Sequence, residues 1–436
     1  MSVQDVPSTR LIEQCVHCGF CLPTCPTYAL WGEEMDSPRG RIYLMKAVSE
    51  QRMTIDASYV QHFDACLGCV GCVTSCPSGV QYGTLIEQAR AQIEHEHVRS
   101  PLDRLFRAAL LSLLPYRSRM RIALLPMMLF GGLLKAIVRT RNVGDRGSDA
   151  RWTERLAALI RLAPPVSWAS LRARKATDAP AIGEERLKVA VLTGCVQQLA
   201  FSHVNAATVR VLQAEGCAVT VPSDQACCGA LALHAGYPDR ARAFARDAIK
   251  AFDRAKVDRI VVNAAGCGSA MKEYGHLLAD DPMWADRARA FSAKVRDVSE
   301  VLADLPPRAP RHPIAARVAY HDACHLAHGQ QVRAQPRQLL QGIPGLELVT
   351  PAEPELCCGS AGIYNLVQPA TAAELGARKV RNLAAVTPDI IATGNPGCTL
   401  QIVAAARDRG WEWSVVHPVE LLDASIRGDI ALLKHR

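Results

Sequence analysis

Cys15-Val16-His17-Cys18-Gly19-Phe20-Cys21-Leu22-Pro23-Thr24-Cys25-Pro26 places four thiols at intervals of two, two and three residues and ends on a proline. Cys66-Leu67-Gly68-Cys69-Val70-Gly71-Cys72-Val73-Thr74-Ser75-Cys76-Pro77 repeats the pattern. C-x2-C-x2-C-x3-C-P is the bacterial-type ligand run for [4Fe–4S] clusters, and its fourth cysteine serves the other cluster of a pair. Three closely spaced thiolates on a short loop wrap one corner of a cubane. The fourth, held by its proline, reaches across. The spacing therefore assigns Cys15, Cys18, Cys21 and Cys76 to cluster 1, and Cys66, Cys69, Cys72 and Cys25 to cluster 2. Two clusters in so small a unit are close enough to exchange electrons. Zinc is the weaker reading, because its sites usually draw four ligands in pairs.

The chain has 436 residues and 17 cysteines. An odd count concentrated in ligand-like runs does not describe a secreted disulfide scaffold. MSVQDVPSTRLIEQC at the start has no apolar stretch of a secretory signal. The expected setting is a reducing one, in the cytoplasm or peripherally on the cytoplasmic side of the inner membrane. The length predicts two or three domains. The net charge of +8 is unevenly placed: residues Arg99–Lys175 hold 16 Lys and Arg against four acids, a local charge of +12. The rest of the chain is slightly acidic.

Residues 1–98 are expected to form the cluster domain. Forty residues separate Cys25 from Cys66. They contain Ser37-Pro38-Arg39-Gly40-Arg41, read as a turn, and then a helix-like Ile42–Val48. A helical insert points to an α-helical ferredoxin, similar to the cluster domain of succinate dehydrogenase iron–sulfur subunits. Residues 99–185 read as a basic, apolar helical connector. Its uncharged core, Ile122–Leu134, spans 13 residues, short of the roughly 20 needed to cross a bilayer. Pro126 and the Gly131-Gly132 pair should interrupt a regular helix there. Arg117, Arg119, Arg121, Lys135, Arg139 and Arg141 flank it and suit an anionic membrane surface. The competing reading is a helical hairpin packed on the ferredoxin or on a partner. Nucleic-acid binding has neither a stacking pattern nor a motif to support it.

Residues 186–436 contain an internal duplication, with units at 186–305 and 314–436. Lys188–Cys195 aligns with Arg317–Cys324, Cys227-Cys228-Gly229 with Cys357-Cys358-Gly359, and Gly266-Cys267 with Gly397-Cys398, at offsets of 129, 130 and 131 residues. Each unit opens with an apolar strand ending at a cysteine. A helix follows, Asn205–Glu215 in the first unit. A second strand, Ala218–Val221, then leads into the Cys-Cys-Gly turn. Strands alternating with helices predict a parallel α/β sheet, whose sites lie beyond the carboxyl ends of the strands. The fold class expected is therefore multidomain α+β: an α-helical ferredoxin domain followed by two duplicated α/β Cys-Cys-Gly domains.

Cys195, Cys227, Cys228 and Cys267, with Cys324, Cys357, Cys358 and Cys398, form a second constellation. A lone cysteine such as Cys217 reads as core; eight at duplicated positions read as redox or metal ligands. The glycine after each pair permits close approach of a cluster or ligand. A further iron–sulfur cluster, a zinc ion or an electron-exchanging dithiol would suit them. His321 and His325 flank Cys324, where an imidazole ligates, moves protons or simply hydrogen-bonds nearby.

Two ferredoxin runs followed by two Cys-Cys-Gly repeats resemble iron–sulfur subunits related to the heterodisulfide reductase Cys-Cys-Gly domain. CVHCGFCLPTCPTY, SPRGRIYLMK, CLGCVGCVTSCPSGVQYG, CCGALALHAG and the last NPGC look most like the glycolate oxidase members. The resemblance implies an electron-transfer subunit of a membrane-associated glycolate dehydrogenase. FAD-binding partner subunits would oxidise glycolate to glyoxylate, and this chain would pass the electrons to the respiratory chain, to quinone. Equivalent subunits of glycerol-3-phosphate or lactate dehydrogenases, and a thiol–disulfide reductase, are the alternatives. The full heterodisulfide-type motif ends C-x-x-C, whereas Ala264 and Asn395 stand at its first cysteine here. Each repeat is thus one sulfur short of the set that holds that family's noncubane cluster. No G-x-G-x-x-G fingerprint occurs at a strand–helix junction, so no FAD is expected in this chain, and no catalytic residue for substrate oxidation is assigned to it.

Overall fold

The computed structural model of the chain describes residues 5–139, 152–164 and 177–433. Arg141, Arg146, Arg151, Arg172, Arg174 and Lys175, which contribute to the connector's charge, lie outside them.

The N-terminal region is helical, with no strand among the described residues before Leu187. Between the two cysteine runs lie helices Pro26–Trp31, Pro38–Ser49 and Ala57–Ala65, and helix Tyr82–Glu96 follows the second run. Ser37-Pro38-Arg39-Gly40-Arg41 is not a turn but the start of Pro38–Ser49. The Ser37 hydroxyl caps the helix by accepting from the Gly40 N–H at 3.0 Å, and Pro38 occupies the first helical position. Gly40 is required there: a Cβ would lie 1.9 Å from the Glu34 carbonyl oxygen. Ile42, Met45, Tyr59, Phe63, Leu85 and Ile93 form the core beneath the cysteine loops.

Two four-stranded sheets follow, each wholly parallel. In the first, β1 (Leu187–Leu192), β2 (Cys217–Thr220), β3 (Arg259–Val262) and β4 (Val295–Asp297) run in the order 2-1-3-4. In the second, β5 (Ala316–Tyr320), β6 (Leu346–Val349), β7 (Ile390–Ala392) and β8 (Ser414–Val416) run 6-5-7-8. The orders correspond strand for strand, and each reverses beside its first strand, the switch point at which such sheets hold ligands. β1 and β3 are buried near-continuous Val/Ile/Leu runs, as parallel strands covered on both faces require. Sequence periodicity does not reveal β4 and β8, which have three residues each. Each is followed by a capping-box helix, Val298–Asp304 behind Asp297 and Pro418–Arg427 behind His417. Cys217 is fully buried in the core, as a structural cysteine.

The connector corrects a further expectation. Arg117–Arg139 is one helix of 23 residues that runs through Pro126, Gly131 and Gly132. Pro126 removes the N–H that would bond the carbonyl four residues back, and its ring crowds that carbonyl. That carbonyl belongs to Ile122, which is 69% exposed, so water can satisfy it. Leu, Met, Ala and Arg around it are strong helix formers. The apolar core divides between two faces. Met120, Leu124 and Met128 pack on Leu199 and Val196 of the first repeat. Ile122, Leu125, Leu129 and Phe130 are exposed. No helix of the described residues is long and apolar enough to cross a membrane.

Candidate metal centres

The two ferredoxin loops have the same unusual backbone. His17 and Gly68 precede the second cysteine of their runs at φ 54° and 63°; Gly19 and Val70 follow it at 88° and 53°. Positive φ at His17 and at β-branched Val70 is strained. Its recurrence at equivalent positions shows that the loop geometry itself is required. Left-handed residues alternating with right-handed ones turn successive N–H groups inward, as anionic iron–sulfur sites use them. The Gly68 N–H already points at Cys66 Sγ, 3.4 Å away.

Cys25, Cys66, Cys69 and Cys72 line one cavity with Arg41, Leu67, Val70 and Tyr82. These are the four thiols assigned to cluster 2, so the residues fit such a cluster. Burial and the neighbouring sulfurs push the Cys72 thiol well up. Cys66 goes the other way: burial opposes its ionisation, but the Arg41 and Arg90 guanidiniums, the Tyr82 hydroxyl and the Gly68 N–H outweigh burial and lower its pKa. At the other loop, burial is the main cause that raises the Cys15 thiol, with Cys76 and Cys18 adding to it. Burial likewise pushes Cys21 up to about 11. Cys76 thus lies with the first run, and Cys25 with the second. Cys18 is exposed, flanked by exposed Val16, Phe20 and Tyr43.

Sequence reasoning missed Arg41. It is fully buried and donates to the carbonyls of His62 (2.7 Å) and Asp36 (2.5 Å) and to the Asp36 carboxylate (3.1 Å). In SPRGRIYLMK it reads as a surface residue; only Asp36 and the cavity explain it.

The Cys-Cys-Gly thiols gather at the carboxyl ends of the strands. In the first repeat Cys195 and Cys227 Sγ lie 3.7 Å apart, and Cys228 meets Cys267. Hydrogen bonding to Cys227 and burial raise Cys195, and Cys227 and Cys228 are raised as well. In the second repeat Cys324 and Cys357 Sγ are 4.0 Å apart. Hydrogen bonds from Cys357 and then His325 bring Cys324 well below the usual thiol range. Cys357, Cys398 and His321 do the same for Cys358. Gly229 (φ 80°) and Gly359 (φ 94°) serve the turn, not a ligand. Their Cβ positions would meet backbone of the following helices, 3.1 Å from the Ala241 carbonyl oxygen and 2.7 Å from that of Ala372.

The ferredoxin region docks on both repeats. Arg90 donates to the His234 carbonyl at 2.9 Å and also reaches the Cys66 carbonyl. The Tyr364 hydroxyl donates to the Ala65 carbonyl at 3.0 Å. Cys69 and Leu67 pack in one buried cluster with Cys324 and Cys357. The cavity of the second cysteine run and the second Cys-Cys-Gly site are therefore neighbours.

The comparisons agree with this architecture. A 4Fe-4S dicluster domain model matches residues 11–80, and a cysteine-rich domain model matches 189–272 and 318–403. A "Probable glycolate oxidase iron-sulfur subunit" of Bacillus subtilis is 37% identical over 421 residues, covering 94% of this chain and 92% of the relative. The glycolate oxidase iron-sulfur subunit of Escherichia coli is 32% identical over 429 residues, covering 98% and 97%. The chain belongs to the family of glycolate oxidase iron–sulfur subunits. Lactate utilization protein A of Oceanobacillus iheyensis is 31% identical over 247 residues, 56% of this chain and all of that protein. Membership makes this an iron–sulfur subunit of an oxidoreductase complex, with a catalytic partner subunit.

Proposed function

We propose that this chain is the electron relay of a glycolate dehydrogenase, taking electrons from an FAD-binding partner and delivering them to quinone at a membrane surface. The observation that carries the reading is the unbroken line of thiol sites. It runs from exposed Cys18, through the cavity of Cys25, Cys66, Cys69 and Cys72, to Cys324 beside it. Two [4Fe–4S] clusters, bound as assigned by spacing, supply one-electron chemistry. The protein's own part is to hold the thiolates, to keep water from Cys66 and Cys72, and to set charge beside them through Arg41 and Arg90. The apolar rim of Val16, Phe20 and Tyr43 around Cys18 suits a docking partner.

Oxidation of a hydroxyacid removes two electrons together, and a flavin accepts them and releases them singly. Substrate oxidation therefore belongs to the partner. The Cys-Cys-Gly thiols hold a further iron–sulfur or zinc centre in at least one repeat. The membrane surface is met by the exposed residues of Arg117–Arg139 together with Leu102 and Leu105, amid the arginines. The test is anaerobic: with the partner present, glycolate should reduce the clusters and then a quinone analogue, and Cys18 or Cys69 to Ser should block the second step while flavin reduction persists. If those variants abolish flavin reduction in an assembled, flavin-loaded complex, the relay reading fails.

A further inference from the structure

The two Cys-Cys-Gly sites share a backbone but not their chemistry. Leu192 ends β1, and His321 occupies the same place just after β5, where its N–H bonds the Ala392 carbonyl at 2.9 Å. Leu192 packs in the apolar cluster that contains Cys227 and Cys228. His321 instead brings an imidazole to the corresponding pair. It is 1% exposed, and apart from the Cys358 thiol beside it neither ring nitrogen has a hydrogen-bond partner. A buried imidazole with a nitrogen left unpartnered is costly unless something ligates it. One of its nitrogens, Cys358 Sγ and Cys398 Sγ all lie within 4.8 Å of one another. Two ligand atoms on one zinc ion sit roughly 3.5–3.8 Å apart, so closure around an ion needs shifts of about 1 Å. At the position of the absent motif cysteine, Asn395 donates to Cys398 Sγ at 3.5 Å and accepts from the Gly266 N–H at 3.4 Å.

We infer that His321 is a metal ligand that replaces the missing sulfur, so that the second repeat holds a mixed imidazole–thiolate iron or zinc centre and the first repeat, with Leu192, holds none. Imidazole with thiolate is a donor set that suits either metal. The second site also lies against cluster 2 through Cys69 and Leu67, and is thus the one placed to communicate with it.

The inference rests on the reading that these thiols bind metal, and the test separates the two. The full chain is purified anaerobically and analysed for iron and zinc. Wild type should carry metal beyond the roughly eight irons of two cubanes. X-ray absorption at the zinc edge, or nitrogen hyperfine coupling altered by 15N-histidine if the metal is iron, should report one imidazole. His321→Leu should lose the excess metal while the reduced-cubane EPR signal persists, which also shows that the variant folds. His321→Cys should restore the metal with sulfur in place of nitrogen, and Cys195→Ser should leave the metal count unchanged. Wild type without excess metal overturns the metal reading and this inference together. Excess metal retained in His321→Leu with an unchanged spectrum overturns the histidine ligand alone, and loss of metal in Cys195→Ser overturns the asymmetry.

Discussion

Replacing Arg41 with glutamine tests how the protein sets the charge beside cluster 2. The guanidinium is fully buried, bonded to Asp36 and to the His62 carbonyl, and electrostatically coupled to Cys66 and Cys25. Two effects follow from its loss. Removing one member of a buried ion pair costs about 3–5 kcal/mol, here offset in part because His62 still meets the Asp36 carboxylate at 3.0 Å. The second effect is electrical. A unit charge on the wall of the cluster's cavity, taken at about 7 Å for scale and at an effective dielectric of about 20, would contribute about 2 kcal/mol. For a one-electron couple that is on the order of 100 mV. The positive charge favours the reduced cluster, so Arg41→Gln should lower one cluster's midpoint potential by that order and leave the other nearly unmoved. Arg41→Lys keeps the charge without the fork, and should destabilise the domain with a smaller change in potential. The assay is EPR-monitored redox titration of anaerobic protein, with iron content as the check on occupancy. Full occupancy and unchanged potentials in Arg41→Gln would refute the assigned position of cluster 2.

The remaining expectations concern ligation, the membrane and pH. Cys76→Ser should damage the cluster held by Cys15, Cys18 and Cys21, and Cys25→Ser the one held by Cys66, Cys69 and Cys72; EPR of each variant that shows loss from its own run instead would reverse the cross-ligation. Binding to anionic vesicles should weaken as salt rises, since each basic residue near such a surface contributes about 1 kcal/mol. Leu129→Glu should weaken it further, and equal partitioning of wild type to neutral vesicles would contradict the electrostatic part. Burial lowers the His417 imidazole to about 3, and its neutral Nδ1 accepts from the Val419 N–H at 3.0 Å. The stability it contributes is complete above the unfolded value near 6.5 and is lost as pH falls toward 3, about 2 kcal/mol between pH 7 and 5. His417→Asn, which caps without titrating, should remove that part of the acid sensitivity in urea unfolding; equal losses in both proteins would show that His417 is not its source.

What the sequence discloses here depends on whether a residue's partner is local. The cysteine runs are legible because ligand spacing is a property of one loop, and the strands β1, β3 and β5 because parallel strands buried on both faces need unbroken apolar runs. β4 and β8 are not legible: three residues carry no period, and only their place at the edge of a sheet makes Val295–Asp297 and Ser414–Val416 strands. Pro126 misleads because a helix-breaking penalty of about 3 kcal/mol is set against 22 other residues of the same helix and a carbonyl open to water. Arg41 is illegible for the opposite reason, since its burial is compensated by Asp36 and by thiolates from two distant loops. His321 differs from all of these, because its signal lay in the duplication. Aligning the repeats by their cysteines puts Leu192 opposite His321 and Val196 opposite His325; His325 Nδ1 meets the single sulfur of Cys324 at 3.6 Å, whereas His321 lies with two sulfurs, Cys358 and Cys398. When duplicated backbones coincide this closely, the positions at which they differ in donor chemistry separate the site that binds from the site that only packs.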